Sequence, residues 1–441
     1  MTGPDAELLS LAIDALERGD AAQASALFGV FVEQNPAHAL AQHQLGVLAL
    51  SQGDGALAVI HLGRAAVLAP HDSGVQNNHG VALNAQGKIA AARRAFEMAV
   101  ALDPNFAEAW NNLGSALESG SERMGAIAAY RRALDIEPAY VEARENLDLA
   151  TAKVAPPWHF PMMADRPRSS AYDEALARAA PGRRVLDIGS GSGLLAMMAA
   201  RAGAASVDSC EAVAEIAETA RLIVAANGLE AQVTVHAMHS GQLVVGETLP
   251  HRAEVLVTET FASGLLSEAV LPTLEHARRH LLTPDAQIIP RAAQALGYLV
   301  GGAAIEAHLF APRNEGFDLR AFDVFAPAKV GLHLDRAPHQ ALSDDFEIFA
   351  FDLTQMTFPP ERREIAVTAT AAGRCLGVAQ WLRLDMDGVA TYENRPSGDA
   401  GANGWMHVLY RFDKPLDVTA GQIVRLRAGH NRTAMTIGLA G

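Results

Sequence analysis

The sequence is poor in cysteine, in aromatic residues and in long apolar runs, and each shortage excludes a class of protein. Two cysteines, Cys210 and Cys375, among 441 residues cannot form a disulfide framework, and neither belongs to a zinc-binding motif. No uninterrupted apolar run reaches the length of about eighteen residues that indicates a membrane span. The N-terminal MTGPDAELLS lacks the basic and apolar regions of an export signal. We therefore expect a cytoplasmic protein in a reducing compartment, without a membrane partner.

Positive charge is also scarce, since 35 Lys and Arg stand against 50 Asp and Glu, and the formal net charge is −15. A broad basic surface is missing, so direct nucleic-acid binding is not expected. An acidic protein attracts basic partners, and a basic protein or peptide is the substrate class that this balance favours. The same charge also keeps a protein soluble, so charge alone leaves both interpretations open.

The first third of the chain repeats itself every 34 residues. Several positions keep this period, among them the series Pro36, Pro70, Pro104 and Pro138 and the series Gly46, Gly80 and Gly114. Each unit has two amphipathic helices, for example over 107–118 and 124–136, and small residues let them approach closely. A bulky residue is expected to fill the gap between neighbouring units, and the proline ends the second helix.

The segment Trp110-Asn111-Asn112-Leu113-Gly114 resembles the first-helix signature of the tetratricopeptide repeat. The resemblance implies an α-solenoid of four repeats over about residues 5–138, closed by a solvating helix over 140–153. Such an array presents a concave surface to a partner. The pairs Asn77-Asn78 and Asn111-Asn112 either line that surface and bind a peptide backbone or serve local packing and capping, and both interpretations stay open.

A second domain begins after the linker at Ala155-Pro156-Pro157. A predicted strand, 184–188, runs into Gly189-Ser190-Gly191-Ser192-Gly193 and a helix over 194–202, and glycines are needed where a ligand lies against bare backbone. A dinucleotide enzyme prefers G-x-G-x-x-G. The G-x-G-x-G spacing after Asp187 instead resembles motif I of class I methyltransferases. This implies S-adenosyl-L-methionine as cofactor, bound by Asp187, Gly189, Gly191 and Gly193.

The next two predicted strands supply further expected cofactor residues. Glu211 ends the strand that begins at Ser206, about twenty residues after the glycines, where a carboxylate can bind both ribose hydroxyls. After the following strand, His239 and Ser240 stand where this fold usually contacts adenine. No carboxylate or cysteine completes either histidine pair in this half of the chain as a metal site, so no metal is expected. These pairs are His236 with His239 and His276 with His280.

Two glutamates, Glu259 and Glu268, bracket an apolar loop after the predicted strand over 253–257. The loop resembles the double-E loop of protein arginine methyltransferases, which implies a guanidinium as the acceptor. A guanidinium keeps its charge at any working pH, because its pKa lies above ~12. Two carboxylates can each accept paired N–H donors, fix the guanidinium plane and draw its charge to the held side, which leaves one terminal nitrogen a better nucleophile. Catalysis would then be positioning and electrostatic preorganisation.

An upstream segment, 159–172, resembles the same family's pre-core motif M-L-x-D-x-x-R-x-x-x-Y. By this resemblance Arg168 binds the donor's methionine carboxylate and helps to orient Glu259, and His159 lies close to the donor. Met162 packs near the target guanidinium, and Trp405, from the family's T-H-W loop, is the remaining expected residue of the catalytic site. A cationic linker helix with core methionines is the alternative, which the register of the motif disfavours.

The resemblance covers roughly residues 158–441 and implies a multidomain chain. Its parts are a tetratricopeptide array over 1–153, a Rossmann-like α/β methyltransferase domain over 154–290, and a β-barrel substrate domain over 291–441. A helical dimerisation arm is expected at about 312–337, where 316–319 resembles the start of that arm. The arm favours a homodimer, although the repeats can satisfy the same surface internally, so both states stay open. The chain looks most like the branch with N-terminal tetratricopeptide repeats, which methylates arginine in proteins.

The chain departs from the family pattern in three places. The aromatic Y-F-x-x-Y helix has no counterpart. The T-H-W loop reads Asn403-Gly404-Trp405, without the histidine that pairs with the aspartate matching Asp165, and His407 lies too far along the strand to replace it. Thr260-Phe261 stands where many members have Trp-Met.

These departures bear on the acceptor more than on the donor, so three hypotheses remain. The first is an arginine methyltransferase that acts on a protein recruited by the repeats. The second is a methyltransferase with another acceptor, which the missing histidine favours. The third is a non-catalytic adaptor, which the intact Glu259 and Glu268 disfavour.

Overall fold

The structure, a computed structural model, describes residues 3–156, 159–396 and 405–440. The chain divides into two compact units, Met1–Pro156 and Pro157–Gly441. Among the described residues, no helix is both long and apolar enough to cross a membrane.

Over its described residues the first unit consists of nine helices, each of which packs against the next. They are α1 (Pro4–Glu17), α2 (Ala21–Gln34), α3 (Ala39–Ser51), α4 (Gly55–Leu68), α5 (Ser73–Ala85), α6 (Ile89–Leu102), α7 (Ala107–Ser119), α8 (Arg123–Ile136) and α9 (Val141–Val154). Asp20 and Asp54 begin their helices with side chains that accept backbone N–H groups of Gln23 and Leu57. The repeat period thus corresponds to one pair of helices.

The glycine of each repeat packs against a bulky residue of the helix that follows it. A methyl group at Gly80 would lie 2.5 Å from the Phe96 ring, and one at Gly114 would lie 2.5 Å from the Tyr130 ring. The expectation that a bulky residue fills the gap between neighbouring repeats stays a prediction, and the same residue fills space inside its own repeat. The reason is steric, because a residue without Cβ leaves room for an aromatic ring over its Cα.

Buried asparagines connect the first helices of successive repeats. Asn77 and Asn111 are buried, and each accepts an amide N–H at 3.0 Å, from Asn112 and Asn146 respectively. Asn77 also donates to Oε1 of Glu108 at 3.1 Å. The first asparagine of each pair is therefore engaged in helix packing, which favours the packing interpretation for these two residues.

The second unit opens with two helices and a parallel sheet of five strands. The helices are α10 (His159–Met163) and α11 (Arg166–Ala179), and the strands are β1 (Arg184–Ile188), β2 (Ser206–Glu211), β3 (Val233–Ala237), β4 (Ala253–Thr258) and β5 (Leu282–Ile289). The connecting helices are α12 (Leu194–Arg201), α13 (Ala214–Ala226) and α14 (Val270–His280). The order is β3-β2-β1-β4-β5, so the chain reverses direction across the sheet between β1 and β4. A ligand crevice is expected at the carboxyl ends of these two strands.

The remaining strands are antiparallel. They are β6 (Ala292–Gly301), β7 (Arg313–Asn314), β8 (Phe317–Asp318), β9 (Lys329–Leu332), β10 (Gln340–Ala341), β11 (Phe346–Asp352), β12 (Glu361–Thr368), β13 (Gly373–Asp385), β14 (Thr391–Glu393), β15 (His407–Val418), β16 (Ile423–His430) and β17 (Met435–Leu439), with α15 (Ala303–Leu309) after β6. A seven-stranded sheet has the order β10-β6-β13-β15-β9, with β11 paired to β6 and β14 to β13. A second sheet has the order β12-β16-β17, and β7 and β8 form a short hairpin.

One hydrophobic core continues from the parallel sheet into the antiparallel sheets. It contains Leu256 and Val257 of β4, Leu265 of the loop that follows, and Leu382 and Phe412 of β13 and β15. The loop after β4 is therefore packed between the two sheet systems, which fixes the place where its glutamates emerge.

Candidate active site

The turn after β1 has the backbone conformation that its glycines allow. Gly189, Gly191 and Gly193 all have positive φ, at 87°, 51° and 79°. The N–H of Gly191 donates to Oε2 of Glu211 at 3.1 Å, and the N–H of Val213 donates to Oε1 of the same side chain at 3.0 Å. The carboxylate at the end of β2 is thus held against the glycine turn, at the mouth of the crevice.

Asp187, the last but one residue of β1, is fully buried. Its Oδ2 accepts the hydroxyl of Ser209 at 2.7 Å, whereas its Oδ1 has no hydrogen-bond partner among the described residues. Burial raises the pKa of Asp187 to about 7, against the opposing hydrogen bond from Ser209, and the charge of Glu211 raises it further. A buried carboxylate oxygen without a donor has a free position for a ligand's hydrogen bond.

The residues expected near adenine lie at the same edge of the sheet. His239 and Ser240 follow β3, where His239 begins a 3₁₀ helix, Ser240–Gln242. Nδ1 of His239 accepts the N–H of Gly241 at 3.0 Å, and Ser240 is buried. His159, in α10, acts on Glu268, because the charge of His159 lowers the pKa of that glutamate.

Arg168 and Glu259 form a buried ion pair, with 2.9 Å between Nη1 of Arg168 and Oε2 of Glu259. Arg168 projects from the first turn of α11, whose N-terminus is capped by Asp165. Within the described part of the chain, Nε of Arg168 and Oε1 of Glu259 have no hydrogen-bond partner. Nε of Arg168 can therefore donate to an anionic ligand group, and Oε1 of Glu259 can accept from a cationic ligand group.

Burial dominates the ionisation of Glu259. Desolvation raises the pKa of Glu259 to about 8, Arg168 opposes this shift, and the charges of Glu268 and Asp165 add to it. The two glutamates of the loop are thus close enough to repel each other. A cation placed between them removes this repulsion, because it stabilises both charged forms.

The loop from Glu259 to Glu268 is held by its apolar residues. Phe261, Leu265 and Leu266 are buried in the common core. From β13, Nε2 of Gln380 donates to the carbonyl of Ser263 at 3.2 Å. Glu268 ends the loop on the solvent side, where burial raises its pKa despite the opposing charge of His159. The loop is anchored from both sheets, so its two carboxylates have defined positions.

Thr260, which departs from the family pattern, lies over the glycine turn. A methyl group at Gly189 would be 2.7 Å from Cγ2 of Thr260. Its hydroxyl is 3.1 Å from that of Thr258, whose hydroxyl donates to the carbonyl of Ile188 at 2.8 Å. Together these contacts connect the ends of β1 and β4. The smaller side chain thus keeps a structural contact at the position of the family's tryptophan.

A pocket of about 580 Å³ opens beside this loop. Glu268 lines it together with two residues that the sequence predicted for the acceptor site, Met162 and Trp405. Lys329 and His333, which the sequence analysis did not select, line it as well. Lys329 is the first residue of β9 and His333 follows its last residue, and no sequence motif distinguishes them.

The predicted catalytic residues therefore lie in one region, at the carboxyl ends of β1 and β4 and the adjoining pocket. The rings of His276 and His280 on α14 lie 4.9 Å apart and are tilted by 34°. No group of three or more potential ligands that could hold a metal ion occurs among the described residues. Asn403 and Gly404 lie outside the described residues. Asp165 accepts the hydroxyl of Tyr392, a residue that sequence reasoning missed because β14 has no recognisable motif.

A five-stranded α/β sheet with this glycine turn, and a carboxylate-lined pocket beside it, defines a class I methyltransferase unit. Comparisons with known proteins agree with this assignment. The family model described as ribosomal protein L11 methyltransferase (PrmA) matches residues 171–281. The tetratricopeptide repeat model matches residues 9–73 and 77–141, which confirms the repeats.

The arginine N(omega)-methyltransferase of Streptomyces achromogenes subsp. streptozoticus is 40% identical over 276 residues, which cover 62% of this chain and 76% of that protein. The chain belongs to the arginine N-methyltransferase family, as its motifs predicted. Protein arginine N-methyltransferase 7 of Oryza sativa subsp. indica is 30% identical over 313 residues, or 62% of this chain and 44% of that protein. The chain thus spans less than half of this longer relative.

Solved structures of the family share the fold of the second unit. The Trypanosoma brucei PRMT1 enzyme-prozyme heterotetrameric complex with AdoHcy matches with a TM-score of 0.55 and 22% identity, over 66% of this chain and 95% of that chain. Arabidopsis thaliana protein arginine methyltransferase 10 matches with a TM-score of 0.52 and 21% identity, over 63% of this chain and 90% of that chain. These matches confirm the Rossmann-like parallel sheet followed by antiparallel sheets. The expected helical arm at about 312–337 is corrected by the structure, because its described residues form the β7–β8 hairpin, short 3₁₀ helices over Arg320–Phe325 and Leu334–Arg336, and β9.

Proposed function

We propose that this protein transfers a methyl group from S-adenosyl-L-methionine to a guanidinium nitrogen of arginine in a protein substrate. The observation that carries the proposal is the buried ion pair between Arg168 and Glu259. Oε1 of Glu259 has no hydrogen-bond partner among the described residues, and the nearby Glu268 lines an open pocket. The family membership established above supports the same reaction. A fixed pair of carboxylates is what a planar cation with permanent charge requires.

Each predicted cofactor-binding residue is assigned to one part of S-adenosyl-L-methionine. Glu211 binds the ribose hydroxyls, and the turn with Gly189, Gly191 and Gly193 lies against the ligand's sugar and methionine backbone. Asp187 accepts a hydrogen bond through its free Oδ1. Nε of Arg168 binds the donor's carboxylate, and His159, His239 and Ser240 complete the site as predicted. S-adenosyl-L-methionine, when bound, would supply the methyl group that is attached to its sulfonium sulfur.

On the acceptor side, Glu259 and Glu268 bind the guanidinium, and Met162 and Trp405 form walls of its pocket. The carboxylates hold the acceptor in line with the methyl group and lower the free energy of the charged transition state. An N–C bond forms as the S–C bond breaks, and the methylated guanidinium then loses one proton. Glu259, with a pKa near the working range, is suited to receive that proton.

The decisive experiment uses donor labelled in its methyl group and peptides of matched sequence that contain either arginine or lysine. We expect label only in the arginine peptide, recovered as methylarginine after hydrolysis. Glu259→Gln should abolish this transfer, by more than about a hundredfold, and leave the donor dissociation constant within a few-fold, because the charge that holds the guanidinium is removed.

Glu247→Gln is the matched control, since Glu247 is exposed and belongs to neither the predicted donor site nor the predicted acceptor site. It should leave transfer unchanged. Label on lysine only, or full activity of Glu259→Gln, would refute the proposed reaction, and failure of the wild type to bind the donor would favour the adaptor hypothesis.

Free arginine is a second candidate acceptor, and Lys329 favours it. The Streptomyces relative is named for arginine itself. Lys329 and His333 line the same pocket as Glu268, so a cation is available for the α-carboxylate of an amino acid whose guanidinium meets Glu259 and Glu268. Adding L-arginine and agmatine, which lacks the carboxylate, to the assay tests this. Efficient methylation of L-arginine but not of agmatine would favour the free amino acid over a protein acceptor.

The partner assignments rest on surfaces of each unit. The repeats recruit the protein substrate, and the net charge of −15 favours a basic one. An exposed apolar patch, formed by Phe317, Phe322, Val324 and Phe325 after α15, is the surface that a second copy would cover in a homodimer. We propose that the antiparallel sheets after β5, expected from the sequence as a β-barrel domain over 291–441, bind the substrate. The cytoplasm is the proposed location, since both cysteines are free and buried.

A further inference from the structure

By the resemblance described above, the histidine of the family's T-H-W loop pairs with the aspartate that matches Asp165, and this chain has no histidine at that place in the loop. Asp165, which matches that aspartate, is nevertheless buried. A buried carboxylate with an unsatisfied oxygen is costly, so another donor must compensate. His407 is not that donor, because its Nε2 bonds to the carbonyl of Asn394 at 2.8 Å and its Nδ1 accepts the N–H of Leu334 at 3.2 Å.

Tyr392 supplies the missing donor. Its hydroxyl lies 2.7 Å from Oδ2 of Asp165, and both side chains are buried. Burial, together with the hydrogen bond to Asp165, holds the pKa of Tyr392 far above its usual range, so the phenol keeps its proton at any working pH. The tyrosine is therefore a permanent donor. A histidine would lose or gain charge near neutral pH.

The other oxygen of Asp165 acts on the catalytic side chains. Oδ1 accepts the backbone N–H of Arg168 at 3.1 Å and so caps the first turn of α11. Arg168 in turn pairs with Glu259 at 2.9 Å. Tyr392 is thus connected, through one carboxylate and one helix turn, to the glutamate that is proposed to bind the acceptor.

The ring of Tyr392 extends the same connection to the acceptor pocket. It packs edge-on against Trp405, with 6.2 Å between ring centroids and 73° between ring planes, and Trp405 lines the pocket. β14, which carries Tyr392, pairs with β13, and Gln380 of β13 binds the carboxylate loop at Ser263. The antiparallel sheet therefore contacts both sides of the catalytic pair.

We propose that Tyr392 is a positioning residue for methyl transfer, which acts through Asp165 and Arg168 to hold Glu259 in place and substitutes for the family's loop histidine. The role rests on the proposed function. Without the hydroxyl, Oδ2 of Asp165 would be buried and unpaired, and the cap of α11 would weaken. A small displacement of Glu259 is enough to slow transfer, because a shift of about 1 Å can cost roughly a hundredfold in rate.

The test compares Tyr392→Phe with Tyr410→Phe in the methylation assay. Tyr410 is an equally buried tyrosine of the same sheet whose hydroxyl has no hydrogen-bond partner among the described residues, so its loss removes no bond. We expect Tyr392→Phe to lower kcat by about ten- to a hundredfold, with acceptor KM and donor affinity changed only a few-fold. Tyr410→Phe should retain full kcat.

A double-mutant cycle tests whether the effect of Tyr392→Phe on kcat is transmitted through Asp165. If Tyr392 acts through Asp165, the loss from Tyr392→Phe should be small in an Asp165→Asn background, because the two groups share one interaction. Full kcat in Tyr392→Phe, an equal loss in Tyr410→Phe, or losses that simply add in the cycle would each overturn the proposal.

If the wild-type protein methylates no arginine, the proposed function is refuted, but the role of Tyr392 in positioning Glu259 still has to be tested separately. The crystal structure of Tyr392→Phe then decides the latter. The proposal predicts that the Arg168–Glu259 contact lengthens beyond 2.9 Å. An unchanged contact would overturn it.

Discussion

Arg168 and Glu259 illustrate why a buried ion pair is a sign of function at the scale of single residues. Removing two charges from water offsets most of their attraction, so such a pair contributes little stability. This pair also leaves Nε of Arg168 and Oε1 of Glu259 without a hydrogen bond among the described residues. Groups with perturbed pKa and unused hydrogen-bonding capacity concentrate in active sites. Both atoms are explained if each binds a ligand group.

The pKa of Glu259 has a measurable consequence for acceptor binding. In the free protein burial raises this pKa to about 8 even beside Arg168, so near neutral pH the carboxyl is ionised in part of the molecules and protonated in the rest. A bound guanidinium favours the ionised form and lowers the pKa, so binding at pH 7 should release a proton. Affinity for an arginine peptide should therefore increase as the pH rises from 7 to 9.

Calorimetric titration of the peptide in two buffers with different ionisation enthalpies measures the proton count. Binding of the donor product S-adenosylhomocysteine to the same protein is the comparison, because it places no cation between the glutamates. Proton uptake on peptide binding, or an affinity that falls with pH over this range, would contradict the assigned ionisation.

Single residues can be selected from the sequence where a motif surrounds them, but not where only burial distinguishes them. The glycine turn, Glu211 and the two loop glutamates follow from local spacing. Tyr392 is 227 residues from Asp165, and Lys329 belongs to a strand without a motif. Contacts between distant segments leave no local pattern, so residues such as these became visible only in the folded chain.

At the scale of elements, the helices of the repeats depend on glycines that face aromatic rings. Gly114→Ala should destabilise the protein by about 1–3 kcal/mol, because the new methyl group would lie 2.5 Å from the Tyr130 ring and force it to move. The measurement is thermal or urea unfolding of the full-length chain, followed by helical circular dichroism.

Gly29→Ala is the matched control for this substitution. Gly29 lies inside α2, and a methyl group there would meet nothing within 4 Å. It should leave stability unchanged or raise it by about 0.5–1 kcal/mol, because alanine favours a helix more than glycine does. Equal destabilisation by both substitutions would show that packing on Tyr130 is not the cause.

The elements themselves were largely predictable. The strand over 184–188 was predicted with the bounds that β1 has, and the helix over 107–118 differs from α7 by one residue at its end. Apolar periodicity and turn residues are local, and they determine where a helix or strand forms. The packing partner of each bulky repeat residue was not predictable, because the same sequence period allows that residue to pack inside its own repeat or between two repeats.

At the scale of the whole molecule, the exposed aromatic patch after α15 predicts self-association. The rings of Phe322 and Phe325 are 68% and 74% exposed and lie 5.3 Å apart. Contiguous apolar surface of this kind marks interaction sites. Wild-type protein should elute with twice the monomer mass of 46.6 kDa in light-scattering chromatography, and Phe322→Asp with Phe325→Asp should elute as a monomer.

Val389→Asp provides the control, because Val389 is similarly exposed at 73% but belongs to the turn between β13 and β14. It should leave the dimer intact. A wild-type monomer at micromolar concentration, or a dimer that survives the double substitution, would contradict this assignment of the patch.

The repeat period, the methyltransferase unit and the family can be recognised from the residues alone, because they depend on short-range spacing. The glycine turn and the carboxylates of Glu259 and Glu268 are likewise marked by residues that are neighbours along the chain. How the Arg168–Glu259 pair is held became visible in the folded chain. The hydroxyl of Tyr392 and the amide of Gln380 reach the site from the antiparallel sheet, and burial, which no local pattern encodes, gives Asp187 and Glu259 their raised pKa values.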